Sequence, residues 1–339
     1  MGYLGMTYPE KYGGTDLDIF YFLVFSEEMI RMNSGGFSTS IGVHAGVALA
    51  HINGSGNEAQ KQKYLKGGID GDLIGCLAIT EPGAGSDVAS LRTTAVKDGD
   101  HYIINGSKTF ISNGVLSDFI VAAVRTGDKG AGGLSMVIID RDTPGVSATK
   151  LKKMGWHASD TGEIAFDDVR IPVENLLGEE NQGFFYIMQH FVSERLGMAM
   201  IGVSQAQLAL NLAMKYMSER EVFGRPISKF QVLRHRIAQL SSEVLMHKVF
   251  VYTLYKSYSE GNYIIKEAAM AKLVATQLSD KVCYECMRMF GGNGYMESYP
   301  MARLLRDSQV GTIGGGTSEI LCEIIAKMVI DSKEYEAAI

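Results

Sequence analysis

The sequence predicts an α+β protein in which a helical region is followed by a β domain and then by a long helical bundle. Apolar residues recur at helical spacing from Asp16 to about Leu65 and again from Gly183 onward. Between them, β-branched runs alternate with Asn-Gly and Asp-Gly turns, without the alternating helices of a βαβ fold. We expect domains at 1–74, 75–180 and 181–339.

The first domain is predicted to hold three helices. The apolar positions from Phe20 to Ile30 suit one helix with a mixed face, and a second helix with small residues covers 41–51. A short polar helix over 57–65 is expected to stop at Gly67-Gly68, since glycine commonly ends helices.

The middle domain is predicted to be a β barrel or sandwich. Its strands are expected at Thr93–Val96, Tyr102–Ile104, Phe119–Val124, Leu134–Ile139 and Glu163–Phe166. The last domain has long helical patterns at 184–221, 229–260, 262–290 and 317–331, which predict an antiparallel four-helix bundle.

Composition and charge exclude several classes of protein. The 339 residues are 46% hydrophobic and 21% charged with a net charge of −6, which argues against disorder and against a dominant nucleic-acid role. No apolar run reaches the length needed to span a membrane, so no membrane association is expected. The pair Cys283-x-x-Cys286 suits either a redox or metal pair or two small apolar residues in a helix. The cysteine content fits a reducing, intracellular compartment.

Common nucleotide and metal motifs do not fit. The Gly106-Ser107-Lys108-Thr109 run has no helix after it, so it is not a phosphate-binding loop of the Walker type. No Gly-x-Gly-x-x-Gly opens a helix, and the seven histidines do not cluster. We therefore expect neither a Rossmann dinucleotide site nor a metal.

Two glycine-rich stretches remain as candidates for ligand binding. The run Ala78–Asp87 follows an apolar strand and offers backbone N–H groups and short hydroxyls to a phosphate or a planar heteroaromatic ring. Taken alone, it also suits an ordinary surface loop. The second comprises 290–295 and 314–319, where Thr317 or Ser318 can cap a helix and leave N–H groups free for an anion.

The sequence resembles the acyl-CoA dehydrogenase family along nearly its whole length. The resemblance is carried by five motifs in order: Pro9-Glu10-Lys11-Tyr12-Gly13-Gly14, Ile79-Thr80-Glu81-Pro82-Gly83-Ala84-Gly85-Ser86-Asp87, Phe110-Ile111-Ser112-Asn113-Gly114, Arg220-Glu221-Val222-Phe223-Gly224 and the stretch 291–307. It implies an oxidoreductase that holds FAD between the β domain and the bundle and oxidises an acyl-CoA to the trans-2-enoyl-CoA. It also implies a homotetramer that passes electrons to electron-transfer flavoprotein, in the cytoplasm or, in a eukaryote, the mitochondrial matrix. The family's first helices are missing before Pro9, so the helical domain looks shortened.

The resemblance also implies which residues hold the ligands. Those expected to contact the cofactor are Thr80, Phe110, Ser112, Arg220, Phe223, Gln231, Arg288, Gly292, Thr317 and Glu319. Of these, Arg220 and Phe223 are expected to reach the FAD of a neighbouring subunit. Those expected to contact the substrate are Ser86, Arg195, Gly314 and Gly315.

The catalytic base is the main departure from the family pattern. The reaction needs a base at the α-carbon, and most members supply a glutamate from a Tyr-Glu-Gly-Thr stretch, which is Gly314-Gly315-Gly316-Thr317 here. The isovaleryl-CoA and long-chain branches place it in a Glu-Arg pair on the first bundle helix. The matching residue is Glu194, with Arg195 as electrostatic support, although Glu-Arg neighbours also occur on helix surfaces.

Substrate and acceptor stay open at the level of sequence. Glycines at 314 and 315 and the small residues Gly197, Ala199 and Gly202 favour a medium-chain, long-chain or branched acyl group. The alternatives are an acyl-CoA oxidase that uses O2, a non-catalytic flavin-binding or flavin-free relative, and a plain helical interaction protein. The net charge and the presence of Glu194 argue against a non-catalytic relative. The family motifs argue against a plain helical interaction protein.

Overall fold

The computed structural model describes residues 2–331, so the part of the predicted bundle domain at 332–339 lies outside the described residues. The chain divides into two compact units. One contains Met1–Phe22 and Gly36–Phe191, and the other contains Leu23–Gly35 and Val192–Ile339.

The helices of the amino-terminal region are short and interrupted. They are α1 (Ile19–Arg31), α2 (Gly35–Ile41), α3 (Leu49–Ser55), α4 (Glu58–Gln60) and α5 (Lys66–Asp70), with π-helical turns at Gly42–Ala48 and Lys61–Leu65. The expected stop at Gly67-Gly68 is wrong. The helix continues to Asp70, and Gly71 ends it, because Gly71 takes the left-handed φ of +83° that a C-terminal cap requires.

The β domain is one eight-stranded sheet. Its strands are β1 (Gly75–Ala78), β2 (Thr94–Asp98), β3 (His101–Ser112), β4 (Phe119–Arg125), β5 (Leu134–Asp140), β6 (Val146–Lys150), β7 (Thr161–Pro172) and β8 (Leu176–Leu177). The order is β6-β7-β3-β2-β4-β5-β8, with β1 parallel to β4. The five expected strands are confirmed, although β3 and β7 extend well beyond their apolar cores and β6 was not expected.

Strand β4 is buried on both of its faces. Phe119, Val121 and Ala123 pack in a core with residues of the amino-terminal helices. Ile120 and Val124, which point the other way, belong to a second core formed with β1, β2, β3, β5 and β7. Because the second core contains residues from strands on both sides of β4, the sheet encloses it.

The second unit is built on long helices. They are α6 (Gly183–Glu219), α7 (Gln231–Ser259), α8 (Ile265–Met289), α9 (Pro300–Ser308) and α10 (Ser318–Ala326), with the two-residue strands β9 (Glu221–Val222) and β10 (Arg225–Pro226) between α6 and α7. The four predicted helices are confirmed within a few residues. Helix α6 approaches α8 closely, since a Cβ on Gly202 would lie 2.7 Å from the carbonyl oxygen of Ala275.

Helix α6 also corrects the expectation about membrane-length segments. By length and composition it could cross a membrane, with a mean hydropathy of 1.3 in its most apolar window, but 61% of that window is buried inside the protein. Such burial is what a core helix shows. The cysteines Cys283 and Cys286 are free and buried in α8, where burial raises the pKa of Cys283 to about 12, so they pack as small apolar residues.

Candidate active site

The loop that follows β1 is tied to β3 by hydrogen bonds. The backbone N–H of Thr109 donates to the carbonyl oxygen of Thr80 at 2.8 Å, and the Lys108 ammonium donates to the carbonyl oxygen of Ile79 at 3.1 Å. Within the loop, a Cβ on Gly83 would meet nothing within 4 Å. The loop is therefore held in place where it begins, at Thr80, and has an open, exposed tip that carries Ser86.

A buried ion pair lies beneath this loop. The Lys108 ammonium is 2.8 Å from Glu81 Oε1, and the Lys108 side chain is wholly inaccessible. Glu81 also accepts hydrogen bonds from the backbone N–H groups of Arg92 and Thr93, at 2.7 and 2.9 Å. Burial lowers the pKa of Lys108 to about 8, although the negative charge and the hydrogen bond of Glu81 raise it in part. Burial alone would raise the pKa of Glu81, but the charge and hydrogen bond of Lys108 lower it.

Phe110 presents an aromatic ring to the surface at the end of β3. The pairing of β3 with β7 shifts register between Lys108 and Ile111. At this bulge Phe110 takes a φ of +61° and is 70% exposed. Left-handed φ is unfavourable for a bulky residue, and no packing compensates it, so the geometry is what an aromatic ligand surface would require. Ser112 follows as the last residue of β3.

Glu194 lies on α6 with a carboxylate oxygen cut off from water. Its Oε1 atom is buried and has no hydrogen-bond partner among the described residues. Burial raises the pKa of Glu194 to about 7, and the adjacent Arg195 opposes that rise. Arg195 is 7% exposed. Burial lowers the pKa of its guanidinium, and the negative charge of Glu194 raises it in part. A carboxylate that titrates near neutrality without donors is suited to accept a proton.

The triple-glycine loop lies against the same stretch of α6. A Cβ on Gly315 would lie 3.4 Å from Cγ of Met198, which follows Glu194 by one helical turn. Gly315 and Gly316 have φ values of +64° and +93°. Next in the chain, the Thr317 hydroxyl accepts a hydrogen bond from the N–H of Ile320 and so caps α10, and Glu319 is exposed in its first turn.

A depression in the surface of the bundle unit has a volume of about 420 Å³. Its lining residues are Tyr216, Arg220, Val222, Ile227, Met289, Phe290, Gly291, Gly292 and Asn293. An arginine facing a run of glycines suits a phosphate or pyrophosphate group, because glycines let an anion approach the backbone N–H groups.

The other predicted cofactor residues of this unit lie on the surface. Phe223 is 95% exposed with a φ of +50° at the turn between β9 and β10. Gln231 is exposed at the first position of α7. Arg288 is exposed beside Glu285 and is not among the residues that line the depression, so it is separate from Arg220 and Gly292.

Gly202 was expected to leave room for the acyl group, but its contacts point to helix packing. Its missing side chain lets α6 approach α8, so it serves helix packing. Gly197, in contrast, has nothing within 4 Å of its would-be Cβ.

Sequence reasoning missed two buried lysines, Lys108 and Lys272. The Lys272 side chain, in α8, is inaccessible, and its ammonium donates to the carbonyl oxygen of Gly316 at 2.6 Å. The spacing of residues in α8 could have predicted the burial of Lys272. It lies on the same helix face as Ala268, Ala275 and Thr276, and these residues are small or apolar.

Three domain families match the chain in order. They are the acyl-CoA dehydrogenase N-terminal domain over residues 1–72, the middle domain over 76–169 and the C-terminal domain over 181–330. The chain is 37% identical to the long-chain specific acyl-CoA dehydrogenase of Sus scrofa, covering 98% of this chain and 78% of that protein. It is 36% identical to the isovaleryl-CoA dehydrogenase of Pongo abelii, covering 96% and 78%. An acyl-CoA dehydrogenase structure from Geobacillus kaustophilus superposes with a TM-score of 0.94 at 41% identity, covering 97% of this chain and 87% of that one.

The buried pair Lys108–Glu81 is expected to be strongly coupled. Lys108→Met and Glu81→Gln should each lower the free energy of unfolding by about 3 kcal/mol, because each leaves a buried partner uncompensated. The double variant should lose much less than the sum of the two. Chemical denaturation measures all three, with Lys11→Met, which removes the exposed pair Lys11–Glu58, as a control without measurable effect. Additive losses would contradict the coupling.

Glu194 is expected to destabilise the fold at neutral and alkaline pH. Between its ordinary pKa of 4.5 and its folded pKa of about 7, the folded state keeps a proton that the unfolded state releases, so stability falls as pH rises. Glu194→Gln should therefore be more stable than the parent above pH 7, by at most about 3 kcal/mol, with the gain vanishing towards pH 4.5. Urea unfolding at pH 5 and pH 8 measures this, with Glu243→Gln as control. An equal difference at both pH values would refute it.

Proposed function

This chain belongs to the acyl-CoA dehydrogenase family, and from that premise we propose that it oxidises a medium-chain, long-chain or branched acyl-CoA with Glu194 as the base. The family consists of FAD-dependent oxidoreductases that act on acyl-CoA. The observation that carries the assignment of the base is the buried, unpartnered Oε1 of Glu194.

Glu194 would take the α-proton of the thioester onto Oε1. The α-C–H bond is weakly acidic, so the base must lie in contact with it and must be ionised before the step. A pKa near 7 leaves the carboxylate largely ionised at pH 8 and still basic enough to hold the proton afterwards. Arg195 limits the rise of the pKa and stabilises the ionised form that waits for substrate.

The residues present fit FAD. Two exposed phenylalanines with left-handed φ, Phe110 and Phe223, offer aromatic surfaces to a ligand, although the ring of Phe223 also makes an edge contact with Phe230. The 420 Å³ depression offers Arg220 and the Gly291-Gly292 backbone to a pyrophosphate. By resemblance, we assign Thr80, Phe110, Ser112, Thr317 and Glu319 to this chain's own FAD, and Arg220, Phe223 and Gln231 to the FAD of a neighbouring subunit. When bound, FAD supplies the acceptor for the hydride that leaves the β-carbon.

Support differs among the remaining assignments. The exposure of Arg288 and its separation from the depression weaken its assignment to the cofactor. Ser86 keeps its proposed role at the CoA arm because it lies on the exposed loop tip. Gly314 and Gly315 add no side chains of their own beside Met198, one turn from Glu194, which favours a bulky or branched acyl group.

We also propose that the enzyme is a homotetramer that reduces electron-transfer flavoprotein. Helix α7 leaves several large apolar side chains exposed, as an interface between subunits requires: Val232, Leu245, Met246 and Val249. Light scattering should give four chains per particle, and Leu245→Glu should give smaller particles. The free cysteines suit a reducing compartment, the cytoplasm or the mitochondrial matrix.

Anaerobic mixing with acyl-CoA thioesters tests the activity and its base together. The parent protein should bleach its flavin absorbance with at least one member of a panel that covers medium, long and branched chains. Glu194→Gln should reduce the rate by at least about a thousandfold and Glu194→Asp by less, because aspartate keeps the base at the wrong distance. Glu243→Gln, on α7, should match the parent.

The pH dependence gives a second measurement in the same experiment. The bleaching rate should rise with pH through about 7 and then level off, as Glu194 ionises. Parent-like turnover in Glu194→Gln would refute the base. Re-oxidation of the reduced enzyme faster by O2 than by electron-transfer flavoprotein would make it an oxidase instead.

A further inference from the structure

Lys272 is a buried cation that the reaction scheme above does not use. Its side chain is wholly inaccessible within α8, and no carboxylate of the described residues lies within ion-pair distance of its ammonium. Burying a lysine without a carboxylate is costly, so the position requires a compensating role. Its hydrogen bond, 2.6 Å long, goes to the carbonyl oxygen of Gly316.

The charges around Lys272 come from the elements that carry the candidate site. Burial, and then the positive charge of Arg195 on α6, lower the pKa of Lys272 to about 8, while Glu319 on α10 opposes them. Lys272 is thus close enough to both Arg195 and Glu319 to interact with their charges. It stands where α6, α8 and the start of α10 meet the triple-glycine loop.

The triple-glycine loop has few other means of being held. It has no side chain of its own from 314 to 316, and the Thr317 side chain is engaged in capping α10. The N–H of Gly314 donates to the carbonyl oxygen of Val310 at 2.8 Å, which fixes one end. In the described part of the chain, Lys272 supplies the side-chain hydrogen bond that fixes the other end, at Gly316.

We propose that Lys272 is a positioning residue for dehydrogenation, which holds the triple-glycine loop off the face of α6 that carries Glu194. The inference rests on the proposed role of Glu194 as the base. A Cβ built on Gly315 would lie 3.4 Å from Cγ of Met198, one turn from Glu194, so a shift of the loop towards α6 would narrow the space in which we place the thioester. Lys272 acts through the loop and does not touch the reacting atoms.

Removing the ammonium should impair proton transfer while leaving the cofactor bound. Lys272→Met should lower kcat at least about tenfold with a smaller change in KM, because a displaced thioester loses its alignment with the base. Lys272→Arg, which keeps a donor for Gly316, should recover much of that loss. Lys281→Met removes an exposed lysine of the same helix that pairs with Glu243, and should match the parent.

A second readout isolates the proton transfer from oxidation. The α-protons of a redox-inert acyl-CoA exchange with D2O when the base removes them, and NMR follows this exchange in the flavin-loaded protein. Exchange should be slow in Lys272→Met and restored in Lys272→Arg, whereas the flavin content of both variants should match that of the parent. A variant that was merely less stable would not slow exchange per folded molecule.

The outcomes separate the inference from the function on which it rests. Parent-like exchange in Glu194→Gln would overturn the base and with it the proposed function. Loss of exchange in Glu194→Gln together with parent-like kcat and exchange in Lys272→Met would overturn only the role of Lys272. If Lys272→Met does not fold, Gly315→Ala decides, because its Cβ strains the same loop at φ +64° without touching the lysine. A parent-like kcat in Gly315→Ala would refute the need for loop placement.

Discussion

The desolvation of one carboxylate oxygen sets the electrostatics of the candidate site in the bundle unit. Glu194 Oε1 is buried without a donor among residues 2–331, which is costly for the charged form and brings the pKa of the group near 7. Arg195 offsets part of that cost, and a loop without side chains lies one turn along the helix. A side chain at 315 would extend towards Met198, one turn from Glu194, and a hydrogen-bond donor that reached the carboxylate would lower its pKa and so its basicity.

Two buried lysines use the same physical device in the two units. Lys108 donates to the carbonyl oxygen of Ile79, and Lys272 donates to that of Gly316, so each fixes a glycine-rich loop from beneath. The difference lies in compensation. The charge of Lys108 is balanced by an ion pair with Glu81 at 2.8 Å. Lys272 instead donates to an uncharged carbonyl group, and the carboxylate that interacts with its charge, Glu319, lies farther away. A hydrogen bond from a buried lysine to a backbone carbonyl can thus make a loop rigid even where the loop residues are glycines and have no side chains.

Sequence patterns predicted the strands and long helices because burial there follows periodicity. The apolar run of β4 and the Asn-Gly and Asp-Gly turns are local signals, and they placed β2, β4 and β5 within two residues but missed the ends of β3 and β7. The helix end at Gly71 was missed because Gly67 and Gly68 are equally good candidates locally, and tertiary packing decides between them. The buried lysines were missed for a related reason, since lysine is ordinarily exposed and its burial depends on carbonyl groups far along the chain.

The backbone of the triple-glycine loop limits which residues position 315 can hold. The resemblance places the usual glutamate of related enzymes at 315, yet here that residue has a φ of +64°, a conformation that side-chain-bearing residues rarely adopt. A glutamate introduced at 315 would strain the loop, so a second carboxylate could be added beside the candidate site only at a conformational cost.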